Sequence, residues 1–336
     1  MTTNPLHPNV RAIPGDAYLN EAERGIELFD LGDSEGPPPP QEFVIDPYLP
    51  EGFVSTLYAK PGSAKSLLAL YFAFHIVLGR DVFGHGVKKG SVLYLDAELD
   101  KATFERRGWQ IACGLGLDRP PKGIQYHRLR APLTDHNEGE RFRELILRTR
   151  PTLTIIDSFS AALRGRDSNS ADDVTQRYDY LDSFGSVLLI DHTAKSADMG
   201  THVTALGSQG KMMFARSALF IASNGKACIL RHEKHNLSAG ADSVPFALNF
   251  SPETVFFDVL KSDDARLEGI EQAMPVKDRV RAALLSGEYG QGVSAKELAE
   301  LLDARRGTVQ NALTKLREEG TAKSAGGKWY LAEGAS

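Results

Sequence analysis

The stretch FVSTLYAKPGSAKSLLALYFA, from Phe53 to Ala73, decides the fold of this chain. It begins with a β-branched and aromatic run that is typical of a strand, and it ends with apolar residues at helical spacing. Between the two, Pro61 and Gly62 supply a turn, and Lys65 and Ser66 follow it. The order of strand, small-residue loop and helix predicts a loop that binds phosphate.

A bound triphosphate needs a nest of backbone N–H groups, the N-terminus of a helix and one mobile cation. We expect Lys65 to reach the β- and γ-phosphates and the Ser66 hydroxyl to bind Mg²⁺, so the predicted ligands are ATP and Mg²⁺. The residues predicted to hold the nucleotide are Pro61, Gly62, Ser63, Ala64, Lys65 and Ser66. The usual pattern is G-x-x-x-x-G-K-[ST], and Ala59 and Ala64 replace its outer glycines. The alternative is an ordinary turn between a strand and a helix.

The composition is that of a globular protein. Of 336 residues, 42% are hydrophobic and 25% are charged, and the sequence contains no apolar run of membrane-spanning length. The first residues lack the apolar core of a signal peptide, so we expect a cytoplasmic protein. The formal net charge of -5 argues against coating nucleic acid by bulk charge. Cys113 and Cys228 lie too far apart for a usual zinc site.

The sequence divides into four segments. Residues 1–41 are rich in Pro and Gly and are expected to form an arm or a disordered extension. Residues 42–260 alternate strands with helices, which predicts an α/β domain with a mostly parallel sheet covered on both faces. Its expected helices include Ser170 to Phe184 and Gly207 to Ala215, and strands after residue 218 should add antiparallel hairpins to the sheet edge. Residues 261–275 are polar and are expected to be a linker.

Residues 276–334 are expected to form a separate small domain. Val276 to Leu285 has the pattern of an amphipathic helix, and Ser294 begins a capping box for a second helix. Arg306 to Glu319 makes a third helix, and a hairpin with its turn at Gly326 and Gly327 follows. Three helices and a hairpin of this size predict a winged helix-turn-helix.

Two carboxylates at strand ends are candidates for the chemistry of phosphoryl transfer. Asp157 ends the strand LTIID and could hold the hydration shell of Mg²⁺, with a helix cap as the alternative. Glu98 ends SVLYLDAE and is placed to polarise water, with its neighbour Asp96 or simple solvent exposure as the alternatives. His192 ends a further strand and could sense the γ-phosphate, or it could be structural.

Several motifs in order resemble one known family. They are LPEG before PGSAKS, then VLYLDAE, IIDSFSAAL with DSNSADDV, LLIDHTAKS and LGSQGKMMFAR. Together they resemble the RepA-like branch of the RecA-fold P-loop ATPases over residues 42–260. The resemblance implies a RecA-like P-loop NTPase domain in a ring-forming DNA motor, usually a hexamer with helicase activity. Such motors serve replication of plasmids, phages or mobile elements.

The resemblance also assigns roles to residues. Lys65 and Ser66 match the phosphate-loop lysine and hydroxyl, and Asp157 matches the magnesium-associated aspartate. Glu98 matches the catalytic glutamate, and His192 matches the histidine that ends the sensor strand.

Arg216 lies nine residues after Gly207, where the family carries an arginine offered to the ATP of the adjacent subunit. The alternative is a surface charge at a helix end. Lys234 resembles a second such cation more weakly.

The chain also departs from the family, since Leu206 stands where members often have arginine and Ala64 adds a Cβ beside the phosphates. A second hypothesis is therefore a nucleotide-gated DNA-binding regulator, or replication-initiation protein, with little hydrolysis.

Two surfaces are candidates for DNA contact. In the core, the loop Ser196 to Leu206 with Lys195 and Lys211 would line a ring channel for single-stranded DNA. In the C-terminal segment, residue types suited to bases and phosphates could bind a duplex. They are Arg305, Arg306, Thr308, Gln310, Asn311 and Thr314, with Lys323 and Lys328 in the hairpin. From residue 275 onward, ten Lys or Arg face eight Asp or Glu, so the segment is slightly basic. Contacts with protein remain the alternative.

Overall fold

The structure is a computed structural model that describes residues 29–133, 135–162, 181, 184–192, 215–261, 264–286 and 289–332. Its helices are α1 (Lys65–Leu78), α2 (Lys101–Gly114), α3 (His136–Thr149), α4 (Phe159–Ala162), α5 (Val276–Leu285), α6 (Ala295–Leu301) and α7 (Arg306–Glu318). Its first strands are β1 (Phe43–Ile45), β2 (Leu49–Pro50), β3 (Val54–Ala59), β4 (Val92–Asp96), β5 (Ile124–Arg128) and β6 (Leu153–Asp157). The later strands are β7 (Val187–His192), β8 (Ser217–Ser223), β9 (Cys228–His235), β10 (Val244–Phe250), β11 (Val255–Val259), β12 (Ala322–Ala325) and β13 (Lys328–Leu331).

The core is a nine-stranded sheet in the order β11-β10-β9-β8-β3-β7-β6-β4-β5. The strands from β8 to β5 pair in parallel, and β9, β10 and β11 extend the sheet by antiparallel pairing. The prediction of a mostly parallel sheet with antiparallel strands at one edge is confirmed. This arrangement fits a RecA-like P-loop domain.

The central strands are apolar because both faces of the sheet are covered. All residues of β3, β4 and β6 are buried, and so is nearly every residue of α1. The near-continuous apolar runs in these strands therefore reflect burial on two sides, with α1 packed over the middle of the sheet.

The antiparallel end of the sheet lies over α1. Tyr71 of α1 stacks on Phe257 of β11 with ring centroids 4.1 Å apart. The same end reaches α2, since a Cβ on Gly114 would lie 2.0 Å from the Val255 carbonyl oxygen. Only glycine permits that close approach, so α2 and β11 pack directly against each other at Gly114.

The C-terminal helices and hairpin have a core of their own. Helices α5, α6 and α7 pack with the hairpin of β12 and β13 around Val280, Leu298, Leu313 and Trp329. The predicted capping box is confirmed, because the Ser294 side chain accepts from the Glu297 N–H while the Glu297 side chain accepts from the Ser294 N–H. The helix and hairpin boundaries agree with those predicted from the sequence.

The segment 261–275, predicted to be a polar linker, packs on the sheet over its described residues. It contains two 3-10 turns, Ala265–Leu267 and Glu271–Ala273, and its apolar residues are buried with those of β8, β9 and β10. The buried apolar residues are Leu267, Ile270, Ala273 and Met274. The high average polarity of the segment gave no sign of these few apolar side chains, so their burial was not predicted from the sequence.

Ion pairs join the C-terminal helices to the loop before β10. Asp242 contacts Lys277 at 3.1 Å and pairs with Arg281, and the Ser243 N–H donates to Asp278 Oδ2 at 2.9 Å. These contacts attach α5 directly to the sheet domain.

Several expectations lie outside the described residues. They are the arm from residue 1 to 28, nearly all of the helices at 170–184 and 207–215, the loop 196–206, and the side chains of Lys195 and Lys211. Within the described part of the chain, each helix is too short or too polar to cross a membrane.

Candidate functional site

The loop between β3 and α1 opens onto the N-terminus of the helix. Gly62 has φ of 80° and Ala64 has φ of 61°, so both adopt the left-handed conformation. Ala64 is the N-cap of α1 and offers no side chain to the first helical N–H groups. Those groups remain directed out of the loop, which is the arrangement that binds anions at helix N-termini.

Lys65 is held close to the loop. Its side chain is buried, and Nζ donates to the carbonyls of Ala59 at 3.2 Å and Lys60 at 3.1 Å. A third partner is His192 Nδ1 at 3.2 Å. Burial lowers the pKa of Lys65, and nearby carboxylates, chiefly that of Asp157, oppose this shift. The ammonium thus sits at the mouth of the loop in a fixed position.

Asp157 faces α1 from the end of β6. Its carboxylate is 2% exposed and accepts from the Tyr94 hydroxyl at 2.8 Å and from the Ser66 hydroxyl. Burial raises the pKa of Asp157, and the two hydrogen bonds lower it. The Asp157 carboxylate is therefore hydrogen-bonded to Ser66, the other predicted magnesium ligand. This favours a role for Asp157 in binding the metal over a role as the N-cap of α4.

Asp96 and Glu98 occupy different environments. Asp96 is fully buried, and its Oδ1 accepts the N–H groups of Glu98 and Leu99, each at 2.8 Å. Burial raises the pKa of Asp96 to about 6. The Glu98 side chain is 40% exposed, lines the cavity described below and accepts from the Ser158 hydroxyl. Of the two carboxylates, Glu98 is the one that can meet water and a ligand.

His192 ends β7 between two charged groups. One ring nitrogen faces Lys65, and the other, Nε2, lies 3.6 Å from Glu98 Oε1. In the sheet, His192 is the register partner of Ala59, the last residue of β3. Parallel pairing thus brings the end of β7 to the loop before α1.

A cavity of about 350 Å³ joins these groups. One wall consists of the loop 62–67 with Glu98, Asp157 and His192. The other wall was not anticipated from the sequence: Arg107 of α2, the turn around Lys226 between β8 and β9, and Phe250 of β10. Phe250 is 62% exposed in spite of its apolar ring. No sequence motif identifies these residues as part of a site. Arg107, a cation on α2 for which the sequence suggests no other role, was the one residue of this wall that could have been considered.

Arg216 lies at the amino ends of the parallel strands, whereas the phosphate loop lies at their carboxyl ends. It directly precedes β8, and its N–H donates to the Val54 carbonyl at the start of β3. Its guanidinium lies 5.8 Å from the ring centroid of Phe53. The length of β3, about 17 Å at ~3.3 Å per residue, separates it from the phosphate loop. The chain therefore does not bring Arg216 to its own cavity.

Lys234 lies near Arg216, since it is the register partner of Ala218 in the antiparallel pairing of β9 with β8. Burial and the Arg216 charge lower the pKa of Lys234. Arg216 and Lys234, the two residues predicted to reach the ATP of an adjacent subunit, therefore lie together at the end of the strands that is farther from the cavity.

The candidate DNA-contacting residues of α7 lie opposite its core face. Val309, Ala312, Leu313 and Leu316 are buried, whereas the polar candidates are exposed or, for Thr314, half-buried. The exposed ones are Arg305, Arg306, Thr308, Gln310 and Asn311, with Lys323 and Lys328 on the hairpin. Lys328 also donates to the Gln291 carbonyl at 3.4 Å. The exposed side of α7 and the hairpin therefore both carry cationic side chains.

The chain matches a known protein family over part of its length. The model of a family described as AAA domain matches residues 21–198, just over half of the chain. The matched range contains the loop before α1 together with Glu98, Asp157 and His192. No curated protein matches the chain.

Proposed function

Because this chain belongs to the AAA domain family of P-loop nucleoside triphosphatases, we propose that it binds ATP in the cavity beside α1 and hydrolyses it. One observation carries the proposal. A helix N-terminus, a buried lysine, a hydroxyl paired with a carboxylate, and a second, solvent-accessible carboxylate all line one cavity. These are the groups that phosphoryl transfer to water requires.

The phosphates would lie against the first N–H groups of α1, with Lys65 beside the β- and γ-phosphates. Because Nζ already donates to two loop carbonyls, the ammonium is preorganised and loses little freedom when an anion arrives. The rest of the nucleotide would extend toward Arg107 and Phe250, the cationic and aromatic parts of the far wall.

Glu98 would orient the attacking water and accept its proton. The Ser158 hydroxyl and His192 Nε2 lie next to the same carboxylate oxygen, so both restrict where it can point. His192 also touches Lys65, and it would therefore respond to a phosphate that binds there.

The residues present fit a magnesium ion. The Ser66 hydroxyl and the Asp157 carboxylate are hard oxygen donors that are already bonded to each other at the helix N-terminus. When bound, Mg²⁺ would neutralise part of the negative charge on the β- and γ-phosphates.

We propose further that the active species is a ring of the RepA-like type, with a hexamer as its usual form. Arg216 lies about the length of β3 from the phosphate loop of its own chain, so only another copy could present it to this cavity. Lys234 at the same end of the strands would act alongside it.

DNA is the proposed partner of the ring. The exposed polar face of α7, in a unit proposed to be a winged helix-turn-helix, supports contact with a duplex. The core loop with Lys195 and Lys211 is proposed to contact single-stranded DNA in the channel. The role would then be movement on, or remodelling of, DNA during replication of a plasmid, phage or mobile element.

One observation favours a second function, a nucleotide-gated DNA-binding regulator with little hydrolysis. Ala64 holds the phosphate loop in a left-handed conformation that costs free energy for any residue with a Cβ. A loop under such strain could bind nucleotide well and position its γ-phosphate poorly.

Magnesium-dependent hydrolysis of ATP by the purified full chain, with and without single-stranded DNA, tests these functions. We expect turnover by the natural chain, nucleotide binding without turnover by Glu98→Gln, and loss of binding in Lys65→Ala. Intact binding without turnover in the natural chain would favour the regulator instead.

A further inference from the structure

The turn that carries Glu98 is closed by a single carboxylate oxygen. Asp96 ends β4, and its Oδ1 accepts the backbone N–H groups of both Glu98 and Leu99 at 2.8 Å. Such a side-chain acceptor replaces a backbone carbonyl and sets the path of the chain over the next residues. The direction in which Glu98 leaves β4 is therefore fixed by Asp96.

Other bonds hold the two ends of the same turn. The Ala97 N–H donates to the Asp157 carbonyl at 2.6 Å, and the Tyr126 hydroxyl donates to the Leu99 carbonyl at 3.0 Å. Asp100 then begins α2, since its carboxylate accepts from the Thr103 N–H at 2.8 Å. The bonds from Asp96 act in the middle, at the backbone of Glu98 itself.

The carboxylate of Asp96 is costly where it lies. The residue is fully buried and is the register partner of Asp157 on β6. Within the described residues, its Oδ2 is buried without a hydrogen-bond partner. A buried, incompletely satisfied polar group destabilises a fold, and a small apolar residue would fill the space at lower cost. The free-energy cost of burying this carboxylate is explained if the turn needs Oδ1 to accept the N–H groups of Glu98 and Leu99.

We infer that Asp96 is a positioning residue for Glu98, acting through the backbone of the turn and not through contact with substrate. The inference rests on the proposed role of Glu98 in hydrolysis. The Glu98 side chain reaches the cavity from a half-exposed position, so its aim depends on its backbone. A misplacement of about 1 Å at a reacting group can lower a rate by roughly a hundredfold.

The substitutions Asp96→Asn and Asp96→Ala separate positioning from packing. Asparagine keeps an oxygen acceptor for the two N–H groups, and alanine removes it. We expect Asp96→Ala to lower the single-turnover rate by about ten- to a hundredfold, while its affinity for ADP stays within about threefold. Asp96→Asn should keep a rate within about threefold of the natural chain.

Asp100→Ala is the matched control, because Asp100 also accepts a backbone N–H in this loop but caps α2. It should lower the melting temperature without lowering the rate. The inference is overturned if Asp96→Ala turns over normally, if Asp96→Asn loses as much activity as Glu98→Gln, or if Asp100→Ala loses as much as Asp96→Ala.

Hydrogen exchange at the amides of Glu98 and Leu99 gives a readout that does not need hydrolysis. We expect both amides to be protected in the natural chain and in Asp96→Asn, and to exchange at least tenfold faster in Asp96→Ala, which measures the opening of the turn. Unchanged exchange in Asp96→Ala would refute the inference. If the natural chain binds but does not hydrolyse ATP, the proposed enzyme function fails, and the exchange data still decide whether Asp96 holds the turn. If Asp96→Ala does not fold, the rate and exchange of Asp96→Asn decide.

Discussion

His192 Nδ1 lies 3.2 Å from Lys65 Nζ. An ammonium group can only donate a hydrogen bond, so Nδ1 must accept, and the proton of the neutral imidazole is on Nε2. That N–H lies 3.6 Å from Glu98 Oε1. One imidazole therefore connects the cation that would hold the γ-phosphate with the carboxylate that would orient water.

This connection predicts that His192→Ala separates binding from turnover. We expect hydrolysis to fall about tenfold, with ADP affinity almost unchanged, because Lys65 keeps its two loop carbonyls. His192→Asn, whose amide oxygen can still accept from an ammonium, should lose less. Steady-state kinetics and ADP titration check this, and a loss of affinity as large as the loss of rate would contradict it.

Substitution by glycine should change the stability of the fold in opposite directions at Ala64 and Ala59, the two alanines that replace glycines of the phosphate-loop pattern. Ala64 has φ of 61°, where a Cβ is strained, so Ala64→Gly should raise the free energy of unfolding by about 1 kcal/mol. Ala59 lies buried within β3, so Ala59→Gly should lower it by about 0.5–1 kcal/mol. Urea denaturation measures both, and shifts of the same sign would be inconsistent with this account.

His232 should make the fold sensitive to acid. Its Nε2 lies 2.9 Å from Ser217 Oγ, its Nδ1 accepts from the Ala241 N–H, and burial lowers its pKa to about 4. The unfolded chain binds a proton near pH 6.5, so stability present above pH 6.5 is lost as the pH falls toward 4. The loss from this group is about 3 kcal/mol.

The measurement is the difference in unfolding free energy between the natural chain and His232→Gln at several pH values. Asp96, with its raised pKa of about 6, changes stability in the opposite direction over this range, so only the difference isolates His232. We expect the natural chain to lose its advantage between pH 6.5 and 4. A difference that does not vary with pH would exclude His232 as the cause.

The position of Arg216 predicts complementation between inactive subunits. Arg216→Ala should bind nucleotide without turnover, and mixing it with Lys65→Ala should restore part of the activity, because each supplies what the other lacks. A mixture of Lys65→Ala with Glu98→Gln is the control, since both changes damage the same cavity. Light scattering must first show mixed assembly, and after that an inactive first mixture would argue against action in trans.

Local patterns predicted the phosphate-loop wall of the cavity. The run from Phe53 to Ala73 has strand and helix periodicity within one short stretch, and parallel strands bring their carboxyl ends to one edge. Asp157, Glu98 and His192 could therefore be predicted to lie close together from the sequence alone. Their order along the chain contained enough information.

The far wall could not be predicted in this way. Arg107 and Phe250 line the same cavity because β10 and β11 pass over α1 and β11 packs against α2, and that path depends on packing between distant residues such as Tyr71 and Phe257. The choice between Asp96 and Glu98 likewise required the structure of the turn, since Asp96 ends β4 and Glu98 lies only two residues beyond it.

The segment 261–275 has a practical consequence for dividing the chain. A fragment that ended at Leu260 would remove Leu267, Ile270 and Met274 from the apolar surface of Phe220 and Ile229, and such an uncovered patch promotes self-association. A fragment that ran on through Met274 would keep this cover. Over residues 264–275 the backbone is held by two 3-10 turns and by the burial of these side chains, so a protease should cut there slowly, although the polar sequence is typical of an exposed linker.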